Sequence, residues 1–346
     1  MNLVSAPVIT QPASSGSNGG AAAADKRARL RHLATNFGPF AALILLCIVF
    51  AVGTPSFFTA SNALAVAEQA SIPVILAMGA TLAILVGGVD LSIEGVMAAS
   101  GLAFVLLAAN SVNSNDWGLG AVAAGVAVGL LFGVVNGAVH TIGKVPSFLV
   151  TLGTWFIGLG VATVLFGITT PQLEDTSLTS WAGGSWLGVP VVIVFAAGSL
   201  LAAWLICRRT KLGMHTYAIG GDEGISRLAG VNIRNTKMIL FALAGAFSGL
   251  GGVLATIRLG VGDVGVGTGS LFLTLSAVVV GGTLLSGGRG GPLHSLVGVL
   301  LLVVLGNGLL LAGASPYIQQ GAQGLIIVVA VIVTAWPNRN RLRVVK

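Results

Sequence analysis

The stretch 82-LAILVGGVDLSIEGVMAASGLAFVLLAAN-110 joins two apolar runs through a pair of glycines and two carboxylates, Asp90 and Glu94. Its reading depends on what surrounds it. Over the whole chain of 346 residues, 55% are hydrophobic and 8% charged, with a mean hydropathy of +0.97. A soluble domain carries about 25% charged residues, so this chain could not cover its surface with polar groups in water. Its uncharged runs have the length of a bilayer crossing, at about 20 residues. They lack the alternation of a membrane barrel, which leaves helices as the structure that satisfies the backbone in lipid. The fold class is therefore all-α integral membrane.

Ten such runs, at 38–55, 64–86, 93–110, 118–139, 148–168, 188–206, 237–257, 271–286, 293–313 and 318–336, predict about ten transmembrane helices. With the N-terminus inside, the inner segments hold four bases before the first span, Lys144, six between 207 and 237, Arg289, and four at the end. That is 16 of the 17 lysines and arginines, with Arg258 alone outside. This is the bias that orients membrane proteins, and the even count returns the C-terminus to the cytoplasm. The net charge of +7 is thus assigned to membrane orientation, and nucleic acid is not expected as a partner. The run 271–286 is the weakest span, being short and ending in glycine and serine; it also fits a broken or re-entrant element.

Three regions follow. Residues 1–36, rich in Ser, Ala and Gly before a basic cluster, read as a disordered cytoplasmic tail; 37–337 form the membrane domain; 338–346 form a basic cytoplasmic tail. Gly125, Gly129, Gly133 and Gly137 recur every four residues, and Gly245 with Gly249 repeats the spacing. Such stripes let helix backbones approach closely in lipid. Cys47 and Cys207 are assigned to packing.

The motifs each carry two readings. At 86-VGGVDLS-92, Gly87 and Gly88 break a helix; Asp90 or Ser92 then either caps the next helix or belongs to a gate on a translocation path. The stretch 280-VGGTLLS-286 echoes it, and Asn136-Gly137 is echoed by Asn307-Gly308, which hints at an internal duplication. Asn136 and Asn307 sit in apolar spans, where they either bond helix to helix or meet a ligand. Glu68 and Gln69 lie near an outer span end, where hydration competes with substrate contact. In the inner segment 207–237, Gly220 and Gly221 read as a turn, Asp222 as the N-cap of a short helix over about 223–230, and Gly230 as its stop. Ile225, Leu228 and Ala229 fall near one face with Arg227 elsewhere, as in a helix that meets a partner protein or lies on the membrane.

Other chemistry finds little footing. The 260-GVGDVG-265 match to a dinucleotide fingerprint lacks its strand and helix context, no G-x-x-x-x-G-K-[ST] occurs, and the four histidines lack metal-ligand spacing. No cofactor, metal or catalytic residue is expected; a membrane enzyme stays open at this point, with no residue pattern that recommends one.

Four motifs in order, namely VGGVDLS, 217-YAIGGDEGISRLAGVNI-233, 281-GGTLLSGGRGG-291 and 307-NGLLLAGASPYIQ-319, resemble the permease subunit of ribose-type ABC sugar importers. The resemblance implies a fold similar to type II ABC importers, residence in a bacterial inner membrane, and a second permease chain. It also implies a cytoplasmic ATP-binding subunit and a periplasmic sugar-binding protein as partners. Gly220, Gly221, Asp222, Glu223, Ile225, Arg227, Leu228 and Gly230 would then form the element coupled to the ATPase. Asp90, Ser92, Asn136, Gly281, Gly282 and Asn307 are the candidate path or gate residues. The chain departs from the pattern where 271-LFL-273 replaces a usual Glu-Leu-Asp, where Glu94 stands for a common glycine, and where 221-GDE-223 replaces Gly-Asn-Glu. The cargo expected is a monosaccharide or polyol. The alternatives are a nucleoside or branched-chain amino acid permease and, in another class, an ion-coupled secondary transporter.

Overall fold

The computed structural model describes residues 38–186 and 188–335; the two expected tails at 1–36 and 338–346 lie outside the described residues. Helix α1 (Gly38–Gly53) is followed by α2 (Ala60–Leu85), α3 (Ile93–Leu107), α4 (Leu119–Thr141), α5 (Ser147–Phe166) and the short α6 (Thr176–Gly183). A two-residue hairpin, β1 (Ser185–Trp186) with β2 (Val189–Pro190), leads into α7 (Val191–Arg209). Then come α8 (Lys211–Gly221), α9 (Glu223–Leu228), α10 (Ile233–Leu259), α11 (Ser270–Val280), α12 (Pro292–Leu311) and α13 (Pro316–Ala335).

Six of these, α2, α4, α5, α7, α10 and α12, are long and apolar enough to cross a bilayer, while α1, α3 and α11 are shorter apolar helices. The run 271–286 does not form one helix. Its helical part, α11, has 11 residues, which at 1.5 Å each falls well short of a hydrocarbon core of about 30 Å. Boundaries shift elsewhere too: α10 starts at Ile233 rather than 237, because Asn232 caps it by accepting from Asn235 N at 3.0 Å.

Helices α2 and α10 form the middle of the bundle, with half or more of their apolar length buried, whereas α4, α5 and α7 are only a quarter to a third buried. Their outward residues are apolar: Leu131 is 62%, Phe156 63% and Val164 81% exposed. Water does not tolerate such a surface, so lipid is its solvent. The glycine stripe of α4 faces α10. A methyl group on Gly129 would run into the Gly245 carbonyl, one on Gly133 into the Phe241 carbonyl, and one on Gly245 into the Gly129 carbonyl. Small residues here let the two backbones touch. Gly95 of α3 meets the backbone of Trp155 on α5 in the same manner.

Candidate functional site

Three glycine motifs that are far apart in sequence meet at one point. Gly288 N donates to the Leu85 carbonyl at 3.0 Å. Gly220, in the last turn of α8, lies against both atoms; a methyl group there would strike the Leu85 carbonyl oxygen and Gly288 N. Gly287 (φ +85°) in turn abuts Gly87 N, Leu85 O and the Gly220 Cα. The end of α2, the loop after α11 and the segment leading to α9 are therefore in main-chain contact.

The two arms of this junction end alike. At the end of α2, Gly87 N donates to the Ile84 carbonyl and Gly88 N to the Ala83 carbonyl, with Gly87 at φ +82°. At the end of α11, Gly282 N donates to Val279 and Thr283 N to Val278, with Gly282 at φ +101°. Both are Schellman stops, which need a left-handed residue that glycine supplies without strain. The equivalence pairs Gly87 with Gly282, one position away from the register in which the sequence motifs echo. Gly281 is the C-cap residue instead, pressed against the His294 carbonyl of α12.

The inner segment is more helical than its sequence indicates. Gly220 and Gly221 do not form a turn; they are the last residues of α8, which Thr210 starts by accepting from Gly213 N at 3.2 Å. Buried Gly213, Thr216 and Ile219 give α8 its inward face. Asp222 is the N-cap of α9, its Oδ1 accepting from Ile225 N at 2.9 Å. The helix ends at Leu228 in a third Schellman stop, with Val231 N donating to Ser226 O and Gly230 at φ +79°. Ser226 is buried, whereas Ile225 and Leu228 are 66% and 90% exposed. Glu223 bonds Arg227 at 3.0 Å and Lys237 of α10 at 2.8 Å, which fixes α9 to the bundle. The hydrogen bond from Lys237, helped by the charges of Lys237 and Arg227, outweighs the cost of burial and holds the Glu223 carboxyl below the usual carboxylate range.

Asp90 does not cap α3. Its Oδ1 accepts from Ser92 N at 2.8 Å and Ser92 Oγ at 2.6 Å, and Ser92 makes no side-chain cap bond. From Ser92 a chain of bonds continues: Asn136 Nδ2 donates to Ser92 Oγ at 3.0 Å, and Thr154 Oγ1 donates to Asn136 Oδ1 at 2.7 Å. Val89 N and Leu91 N donate to Ser147 Oγ and Thr151 Oγ1 of α5. The break between α2 and α3 is thus held by α4 and α5, with Asp90 only 1% exposed. Ser147, Thr151 and Thr154 form a polar face on α5 that their spacing of four and three makes legible.

Asn307 does not join that network. It pairs reciprocally with Asn62 at the start of α2, each amide donating to the other at 3.0 Å. Glu68 faces Arg258 at 3.7 Å across a cavity of 330 Å³ that also includes Thr179, Val192 and Leu254. Glu94, 8% exposed, reaches from α3 to α11, where its Oε1 accepts from Leu271 N at 3.1 Å. A carboxylate suits that position, since the N-terminus of α11 has free N–H groups and no side-chain cap of its own. At Leu271, one of the two positions where the sequence lacks an expected acid, an acid therefore approaches from another helix.

Comparison with known proteins places this geometry. Residues 62–331 match the family model described as branched-chain amino acid transport system / permease component. Among curated relatives, the ribose import permease protein RbsC of Escherichia coli (strain K12) is 36% identical over 296 residues, covering 84% of this chain and 91% of the relative. The D-allose transport system permease protein AlsC of the same organism is 30% identical over 296 residues, covering 85% and 90%. The L-arabinose transport system permease protein AraH is 30% identical over 302 residues, covering 87% and 90%. The chain belongs to this family of transport permeases, and it is a multi-pass inner-membrane protein.

Proposed function

We propose that this permease is the membrane-spanning subunit of an ATP-driven importer for a monosaccharide or polyol, with ten crossings of the membrane, α11 being the short helical part of one of them, and both ends in the cytoplasm. The relatives named for ribose, allose and arabinose support a sugar cargo. The family description names branched-chain amino acids. An amino acid carries two charges that a path would have to balance, whereas a sugar carries none and needs hydroxyl partners only. Energy comes from a separate ATP-binding subunit, cargo from a periplasmic binding protein, and the path from two copies of this chain.

The observation that carries the reading is the junction of Gly220 with Leu85 and Gly288. α9 offers Ile225 and Leu228 outward, as a contact for the ATPase. One turn away, α8 rests on the loops that end α2 and α11. Closure of the ATPase on ATP would push α9, and the push would reach the Asp90–Ser92 break and the Gly281–Gly282 stop through main-chain contacts. Asp90, Ser92 and Asn136 set the shape of the gate in this account, and Asn307 fixes the α2–α12 spacing.

Reconstitution tests it. Proteoliposomes holding the permease, the ATPase and the loaded binding protein should accumulate labelled ribose, arabinose or allose only with ATP, and leucine should not compete. Accumulation driven by a proton gradient without the ATPase would instead establish a secondary transporter. Cysteines placed at 170–180 should react with impermeant reagents from the periplasmic side; labelling from the cytoplasm alone would reverse the orientation.

A further inference from the structure

A cavity of 720 Å³ opens between the α4–α5 loop, α9 and the start of α10; the transport reading uses the outward Ile225 and Leu228 of α9, which do not line it, and leaves its Lys144, Arg234 and Lys237 unassigned. His140, Lys144, Arg227, Arg234 and Lys237 line it, against one acid, Glu223. Glu223 is already bonded to Arg227 and Lys237. Lys144 and Arg234 have no carboxylate within salt-bridge distance among the described residues. Such a surplus of cations around a concave site attracts an anion.

Two further features narrow its chemistry. Lys144 is the single non-glycine residue at positive φ among the described residues, at 55°, on a loop held by the bond between His140 Nδ1 and the Val145 carbonyl at 2.7 Å. A strained lysine backbone in a tight loop is an outlier that asks for a functional reason. The segments flanking the loop are apolar and exposed, with Ile142 at 54%, Phe148 at 49% and Leu149 at 50%. A soluble anion would gain nothing from these flanking segments, which adjoin the lining residues Thr141, Val145 and Pro146. A molecule with a phosphate and acyl chains would gain from both parts.

We infer that this cavity seats the phosphate headgroup of an anionic phospholipid, held by Lys144, Arg234, Arg227 and Lys237, with its chains along Ile142, Phe148 and Leu149. Arginine and lysine here supply the charge-assisted hydrogen bonds that phosphate oxygens accept. The bound headgroup competes with Glu223 for Arg227 and Lys237, so lipid composition bears on how firmly α9 is held. This inference rests on the membrane placement of the chain and not on its cargo or its ATPase.

Native mass spectrometry of the purified permease tests it, after exchange into nanodiscs of phosphatidylcholine with or without phosphatidylglycerol. The wild type should retain phosphatidylglycerol through detergent release, and the Lys144→Ala/Arg234→Ala double variant should lose it about thirtyfold, the weight of two such charges at a membrane surface. Lys144→Arg/Arg234→Lys, which keeps both charges, should restore retention and shows that the loop is intact. Equal retention of both lipids, or unchanged retention in the double alanine variant, overturns the proposal. So does retention abolished by inorganic phosphate at low ionic strength with no effect of chloride, which would make this a soluble-anion site.

Discussion

Gly220→Ala is the sharpest test of how the inner segment connects to the membrane breaks. The new methyl group would meet the Leu85 carbonyl and Gly288 N, both main-chain atoms, at the place where those two atoms bond each other at 3.0 Å. No side chain can rotate aside, so the segments must separate. Overpacking costs about 1–3 kcal/mol, and loss of the wedged hydrogen bond about 0.5–1.5 kcal/mol, which together give about 1.5–4.5 kcal/mol. If the contact transmits the ATPase cycle, at least about 1.5 kcal/mol of coupling is at stake, or roughly tenfold. Gly198→Ala on α7 is the control: nothing lies within 4 Å of its added methyl, and its φ is not positive. At that exposed helical position alanine stabilises by up to about 1 kcal/mol. The assay is ATP hydrolysis stimulated by loaded binding protein in proteoliposomes, normalised to folded permease by thermal unfolding in detergent. Gly220→Ala should lower stimulation at least tenfold while Gly198→Ala leaves it intact. Equal behaviour of the two variants would refute the mechanical role of the junction.

Three other outcomes are expected. Asn62→Ala and Asn307→Ala should be non-additive, with a coupling of about 0.6–1.7 kcal/mol in a double-mutant thermal cycle, as for hydrogen bonds between membrane helices; simple additivity would mean the amide pair contributes nothing. Glu94→Gln keeps an acceptor for Leu271 N and should stay near wild-type stability, whereas Glu94→Ala should lose about 1–3 kcal/mol by leaving that donor unpaired; similar losses in both would assign the effect to charge. Glu223 has a depressed folded pKa, so its pairing is fully present above the ordinary carboxylate pKa of about 4.3 and is lost as pH falls through the depressed value. Its side chain is 42% exposed, which screens the contribution to about 1 kcal/mol or less; Glu223→Gln should loosen α9 by that amount at neutral pH and match wild type in strong acid, measured by hydrogen exchange of 223–230.

Long apolar runs made α2, α4, α5, α7, α10 and α12 legible in the sequence, because twenty such residues have one structure available in lipid. The cap of α9 by Asp222 and its stop at Gly230 were equally legible, since both depend on residue types within a few positions. α8 was hidden because three glycines interrupt 211-KLGMHTYAIGG-221, and glycine reads as a break unless its neighbours need close contact. The run 271–286 carried two readings, a weak span and a broken element, and its glycines favoured the second: Gly282 turns the chain just after Val280, which apolar composition alone does not reveal. Asp90 was placed at a break and read either as a cap or as part of a gate; its bonds to Ser92 do not make it a cap. The contact of Glu94 with Leu271 spans 177 positions, and the Asn62–Asn307 pair 245. No local pattern encodes either one.

Packed protein surfaces usually yield through their side chains, which swing between rotamers and soften whatever is pressed against them. At Gly220, Leu85 and Gly288 that cushioning is missing, for only peptide groups touch. The contact is stiff in both directions: a shift of α8 cannot be absorbed before it reaches the glycine stops, and a change of shape at those stops returns to α9 undiminished. In the transport cycle proposed above, stiffness of this kind would make the occupancy of the path readable at the cytoplasmic face.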